Sequence, residues 1–380
     1  MKRILLRKTT YGKIVKRIKR SRTCLTKKGP LQMTSWRATG ACNCSCVYCN
    51  VASTMEPAPN ELNTKEALHL VDEIYNFGAE WFGLKGGEPL LRKDIFEIIS
   101  YAKSLGLNVC LLTNGYFVEG EIYDTLIKNE VYTSVSVDGP EKINDALRGK
   151  GSYEKALSAI RKLSKAGILN GLSAIVTAVN YRYVDHVAAL AEEYGPNFVW
   201  INHFVPTGKA KEKIELDPSP EQYEWYLNHV YDLTRKYEGK FDIHVHCPFY
   251  ARVVKQRDPS NFWDWYSHRF HGKCTYFAFG GYISIIENGD LIPCFYTYLQ
   301  PSKPQLLGNI REKSLKETWD EMQKSDFYKS FRDRSVLKGK CGICEHRNIC
   351  GGCRNRAYAY TGDFFGSDPA CIYMPKSLRE

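Results

Sequence analysis

No run of apolar residues in this 380-residue chain approaches the ~18–20 needed to cross a bilayer, which excludes a helical membrane span. The N-terminus, MKRILLRKTT, is basic but lacks a long apolar core and a small-residue cleavage site. No signal peptide is expected, and the expected location is cytoplasmic. Internal repeats and low-complexity segments are also missing. Acid is missing from one region: no Asp or Glu precedes Glu56.

That last absence localises the charge. The first 28 residues hold 12 of the 53 Lys and Arg, and the remaining 41 nearly balance 42 acids. The net charge of +11 therefore belongs to an N-terminal arm, residues 1–31. Ile4, Tyr11, Ile14, Val15 and Ile18 fit one helical face, with Lys and Arg opposite. Two readings stand. The arm is a solvated helix closing the bottom of the fold, or it is a foot on an anionic membrane surface or an acidic partner, which would make the protein peripheral to the membrane. Nucleic acid is not expected, because no aromatics interleave the charges.

What is plentiful is cysteine, with 14 in all. A cytosolic chain does not keep that many for disulfides, and their clustering points to metal. A length of 380 residues with 43% hydrophobic content suits one large domain and a smaller one.

Strand-like and helix-like segments alternate from residue 32 to about 235. Asn63 and Glu66 form a capping-box pair ahead of Leu68, Val71, Ile74 and Phe77 on one helical face. Strands are expected at 81–84, 107–112, 132–137, 172–179 and 198–204, with helices at 63–77, 95–105, 153–163 and 184–194. Such alternation implies parallel βαβ units. The expected fold class is α/β: a partial (β/α)6 barrel over 32–235, with its chemistry at the C-terminal strand ends. A linker is expected over 236–273, with the boundary in the aromatic stretch 262–270. Residues 274–380 read as a smaller, cysteine-rich α+β domain. There Asn288-Gly289 signals a hairpin and 314–323 a helix.

Cys42, Cys46 and Cys49 have C-x3-C-x2-C spacing just after the first strand. Three thiolates on one loop can hold three irons of a [4Fe–4S] cube and leave the fourth open to an outside ligand. A zinc loop is the alternative; it needs a fourth ligand, and Cys44 is the one on offer. Further elements follow in order: Gly86-Gly87-Glu88-Pro89, Thr113-Asn114-Gly115, Ser136-Val137-Asp138-Gly139, Arg148-Gly149 and Pro206-Thr207-Gly208.

This series over residues 33–210 resembles the radical S-adenosylmethionine (radical SAM) superfamily. The resemblance implies a catalytic cluster on Cys42, Cys46 and Cys49, with Cys44 a bystander. It implies S-adenosylmethionine as cofactor, with Tyr48 near its adenine, Gly86, Gly87 and Glu88 on the methionine amino group, Asn114 beside it, Ser136 toward the ribose and Arg148 on the carboxylate. A low-potential electron donor of ferredoxin or flavodoxin type is implied as partner.

The C-terminal cysteines run Cys274, Cys294, Cys341, Cys344, Cys350, Cys353 and Cys371. This pattern resembles the SPASM auxiliary-cluster domain, with the gap after Cys350 one residue short of the commonest spacing. One auxiliary [4Fe–4S] cluster is implied on Cys274, Cys294 and Cys353, and another on Cys341, Cys344, Cys350 and Cys371. The first lacks a fourth cysteine, since its usual position falls at Phe279–Gly281; it is open, or takes another ligand such as Cys247. The alternative is a zinc knuckle on Cys341, Cys344, Cys350 and Cys353. Cys24 and Cys110 read as plain thiols.

The CGGC segment with Arg354-Asn355-Arg356-Ala357 and Asp368-Pro369-Ala370-Cys371 resembles tetrapyrrole-modifying members. The expected function is an oxidoreductase that cleaves S-adenosylmethionine and abstracts hydrogen from a tetrapyrrole or a peptide. No peptide-recognition domain is expected before residue 30. A membrane-associated lipid substrate and a non-catalytic electron carrier are the alternatives; a carrier needs neither GGEP nor an open cluster.

Overall fold

The computed structural model describes residues 33–268, 282–294, 296 and 306–379. The basic arm, Cys24 and Cys274 lie outside the described residues. Seven strands succeed one another with helical crossovers: β1 (Met33–Arg37), β2 (Trp81–Lys85), β3 (Asn108–Thr113), β4 (Tyr132–Ser136), β5 (Leu169–Val176), β6 (Phe198–His203) and β7 (Asp242–His246). Each pairs in parallel with the next. Short strands β8 (Tyr282–Ile285), β9 (Asp290–Ile292) and β10 (Gly308–Asn309) complete one ten-stranded sheet, ordered β10-β9-β8-β1-β2-β3-β4-β5-β6-β7.

The crossovers are helices for local reasons. Asn63 caps Thr64–Asn76 and closes a capping box with Glu66. Ser219 does the same with Gln222 at the start of Pro220–Lys236. These two helices and Ile95–Ser104 bury Leu70, Val71, Ile74, Ile98, Ile99, Tyr226 and Val230 in one core with the outward strand residues Trp36, Phe82, Leu84, Val109, Val199 and Ile201. Burying each such side chain contributes about 1.5–3 kcal/mol, so this layer holds the barrel wall.

The opposite face is the polar one. Register puts Ser173, Trp200 and His244 side by side, and Asn202 beside His246. His246 is pushed down to about 3 by burial, then by His244 and by Lys85. Lys85 ends β2, five strands from β7 in the sheet order. Its charge reaches His246 only because the parallel run curls, which makes this face the inside of a partial barrel.

The stretch expected as a linker, 236–273, instead carries β7 and the helices Phe249–Arg257 and Phe262–His268. The α/β partial barrel is as expected, and the parallel run carries one strand beyond its six units: β7, five residues long with polar residues at every other position. The C-terminal region is joined to the barrel through the sheet: β8 pairs in parallel with β1, Ser35 facing Ser284. Arg37 forms a buried ion pair with Glu287 at the β8–β9 turn. Among the described residues no helix is long and apolar enough to cross a membrane.

Candidate functional site

Three strand ends converge on the first cysteine loop. After β1 the chain crosses the mouth of the barrel and is tied down at each step. The Gly87 and Glu88 amides donate to Thr39 and Ala41 carbonyls at 2.8 and 2.7 Å. Cys42 N–H donates to Thr54 O at 2.7 Å, Val47 N–H to Leu147 O at 3.0 Å, and Lys209 N–H to Cys49 O at 3.1 Å. The last bond brings the Pro206-Thr207-Gly208 loop over Cys49. A Cβ on Gly87 would lie 2.0 Å from Ala41 O, so only glycine fits there. The close approach expected toward a cofactor is, at this glycine, an approach to the cysteine loop itself.

Glu88 is wholly buried. Its carboxylate accepts from Thr113 Oγ1 and Asn114 N, both at 2.8 Å, and from Leu90 N at 3.2 Å. It therefore joins the ends of β2 and β3, and burial pushes its carboxyl up to about 7 against those three donors. Asn114 Nδ2 donates to Asn43 Oδ1 at 2.8 Å and lies 3.4 Å from Cys44 Sγ and 3.9 Å from Cys42 Sγ. Cys44 is bonded within the loop: its amide donates to Cys42 Sγ at 3.4 Å, and its nearness holds Cys42 below the usual thiol range while Cys44 is raised. Burial pushes Cys46 up to about 11, opposed by Arg148.

Tyr48 is buried with Leu147, Phe204, Ala210 and Leu216. Its hydroxyl donates to Asp138, and the Arg148 guanidinium lies 5.6 Å over its ring. Asp138 also receives Arg148 Nε at 2.6 Å and Ile175 N at 2.9 Å. Arg148, expected on a cofactor carboxylate, thus has a protein carboxylate as its partner. Ser136 ends β4, in register with Ser173.

The C-terminal cysteines fall into two groups. Cys341, Cys344, Cys350 and Cys371 line one pocket with Arg252 and Tyr373. Amides of His346 and Gly352 donate to Cys344 Sγ and Cys350 Sγ, each at 3.4 Å. Cys353 is turned away and buried; its amide donates to Asp368 Oδ2 at 2.7 Å. Cys294, Cys353 and Cys247 are all buried, and after burial itself they raise the buried Tyr296 phenol. Gly352 has φ +68°, and a Cβ there would lie 2.6 Å from Arg354 Nη2 and 2.8 Å from Asp368 Cβ. That explains the paired glycines between Cys350 and Cys353.

Sequence reasoning gave no role to Arg356, which locks the two regions together. It is wholly buried, donates to Phe204 O at 2.7 Å and to the Tyr223 hydroxyl, and lies 3.5 Å from both Asp217 and Asp368.

These donors fit iron–sulfur ligation. Thiols dominate both constellations, and backbone N–H groups already point at three of the sulfurs, those of Cys42, Cys344 and Cys350. Among the described residues no three His, Cys, Asp or Glu side chains converge on a single ion position.

Residues 36–214 match the model of the radical SAM superfamily, and residues 274–354 match that of the SPASM iron–sulfur cluster-binding domain. The chain is 36% identical to the AdoMet-dependent heme synthase of Methanosarcina barkeri, covering 90% of this chain and 97% of that one. It is 27% identical to the Fe-coproporphyrin III synthase of the same organism, with 90% and 87% covered. It is 28% identical to the mycofactocin maturase MftC of Mycolicibacterium smegmatis, with 90% and 83% covered. Streptococcus suis SuiB bound to S-adenosylmethionine shares the fold, with a TM-score of 0.70, 17% identity, and 91% and 78% covered. An enzyme with [4Fe–4S] clusters and S-adenosylmethionine as cofactors follows from the two family matches and these relatives. The chain belongs to the radical SAM superfamily and carries a C-terminal SPASM iron–sulfur domain.

Proposed function

We propose that this radical SAM/SPASM enzyme oxidises a tetrapyrrole bearing carboxylate side chains. The observation that carries the reading is the inner face of the barrel. Phe198 and Trp200 form an aromatic wall with His244 and His246, ring centroids 4.7–5.5 Å apart. Lys85 brings a positive charge to the same space. A flat conjugated macrocycle stacks on such a wall, and its carboxylates suit the cation. The likeness to a heme synthase across nearly its whole length supports the reading.

In this reading Cys42, Cys46 and Cys49 hold the catalytic cluster. When bound there, S-adenosylmethionine supplies hydrogen-atom abstraction from unactivated C–H bonds. The chain's residues do the positioning. Glu88 and Asn114 fix the loop beneath Cys42, Asp138 orients Tyr48 and Arg148, and the 206–209 loop covers Cys49 and keeps water out. The pocket set Cys341, Cys344, Cys350 and Cys371 holds one auxiliary cluster. Cys294 and Cys353, with Cys274, hold the other. A low-potential donor of ferredoxin or flavodoxin type would supply the first electron, and the clusters that these C-terminal cysteines would hold offer a sink for the one left on the substrate.

The test is mass spectrometry on anaerobically reconstituted enzyme given dithionite, S-adenosylmethionine and either carboxylated tetrapyrroles or peptides. A changed tetrapyrrole mass with matching 5′-deoxyadenosine is expected. Consumption of a peptide instead overturns the substrate, and no 5′-deoxyadenosine overturns the chemistry.

A further inference from the structure

One charged side chain in the C-terminal thiol pocket comes from the barrel side of the molecule. Arg252 lies on helix Phe249–Arg257, directly after β7, and is 3% exposed. It lines the pocket with Cys341, Cys344, Cys350 and Cys371. The guanidinium is held from behind. Nη1 donates to Glu224 Oε1 at 3.1 Å and to Gln256 Oε1 at 2.6 Å, and Nη2 donates to the other oxygen of Glu224. Its carbon sits 5.1 Å over the Tyr373 ring. Both terminal nitrogens thus already donate to protein oxygens. Nε is buried and has no hydrogen-bond partner among the described residues.

A buried N–H without an acceptor costs about 1–3 kcal/mol, and a wholly buried cation costs more unless negative charge lies near. Glu224 supplies one negative charge. The surplus donor, beside four thiols, suits a further anionic acceptor. N–H donors directed at cluster sulfurs and positive charge beside them favour the reduced form, because reduction adds one electron and one negative charge to the centre.

We propose that Arg252 sets the reduction potential of the auxiliary cluster held by Cys341, Cys344, Cys350 and Cys371, through its Nε–H and its fixed charge. The inference rests on the ligand set proposed above. It makes the barrel a party to the redox chemistry of the SPASM domain, since Arg252 and its anchor Glu224 both lie outside that domain's matched residues. Glu224 holds the guanidinium in place and partly offsets its charge, so the two residues act with opposite sign.

The test is an EPR-monitored redox titration with dithionite. Its background carries C42A, C46A and C49A, so that only C-terminal clusters contribute. Adding C371A identifies the relevant signal by removing or altering it. R252Q should lower the reduced-to-oxidised ratio of that signal about tenfold at a fixed potential, a shift of about 59 mV for a one-electron couple. E224Q should move it the other way. A merely structural role would lower the melting temperature in both variants without shifts of opposite sign. If C371A leaves every signal unchanged, the ligand set fails and this inference falls with it. If C371A removes the signal but neither variant shifts it, the role of Arg252 alone is overturned. Should R252Q lose its clusters, E224Q decides: a raised potential supports the proposal, and an unchanged one overturns it.

Discussion

Arg148 Nε lies 2.6 Å from Asp138 Oδ2, with the Asp138 side chain fully buried and Arg148 only 11% exposed. The pair joins the last turn of helix Glu141–Arg148 to the end of β4, beneath the cysteine loop. Burial makes it unlike most ion pairs on this molecule.

Arg148→Met should therefore cost about 3 kcal/mol, because Asp138 is left buried without its cation. Arg257→Ala breaks a pair with Asp232 whose partners are 39% and 56% exposed, and should cost at most about 1 kcal/mol. Urea unfolding of both variants under anaerobic conditions checks this. Equal losses would remove burial as the cause.

Glu88 gives a pH dependence with a definite sign. Its carboxyl is raised from 4.5 to about 7 by burial. Between those values the unfolded chain has released the proton and the folded one has kept it, so stability falls as pH rises through this window. The total change across the window amounts to about 3 kcal/mol. Glu88→Gln should flatten it, seen as a melting-temperature difference between pH 5 and pH 8 present in the wild type and reduced in the variant.

Gly87→Ala forces a methyl group into Ala41 O at 2.0 Å. The loop must move, since backbone cannot give way as a flexible side chain does. We expect loss of S-adenosylmethionine cleavage with the C-terminal iron retained, measured as 5′-deoxyadenosine and iron per chain. Wild-type cleavage in the variant would show that the loop tolerates the shift.

Iron content separates the two constellations. Three cubes of four give about twelve irons per reconstituted chain, and replacing Cys42, Cys46 and Cys49 with Ala should leave about eight. A stoichiometric zinc with about four irons would instead place a zinc knuckle at the C-terminus.

Local chemistry made much of the fold readable. Asn63 with Glu66 and Ser314 with Glu317 both form the capping boxes that start their helices. Asn288-Gly289 marks the turn between β8 and β9, with Gly289 at φ +89°. β7 escaped notice because its inward positions are Asp242, His244 and His246, which break the apolar look of a barrel strand. The cysteine spacing carried the first site. The division of the C-terminal thiols depends on which way Cys353 turns, which Asp368 fixes from fifteen residues away. Arg252 could not be found from sequence, because its relation to Cys341 and Cys371 exists only after helix Phe249–Arg257 has docked.

The pairing of β1 with β8 has a consequence for synthesis on the ribosome. Ser35 and Ser284 meet across 249 residues. At ~5–20 residues per second, that edge of β1 waits roughly 12–50 s for its partner to emerge. An unpaired strand edge invites pairing with other chains, so the nascent barrel passes through an interval of aggregation risk. Slowing translation or raising expression should lengthen or crowd that interval, and a chain cut short before β8 should never leave it.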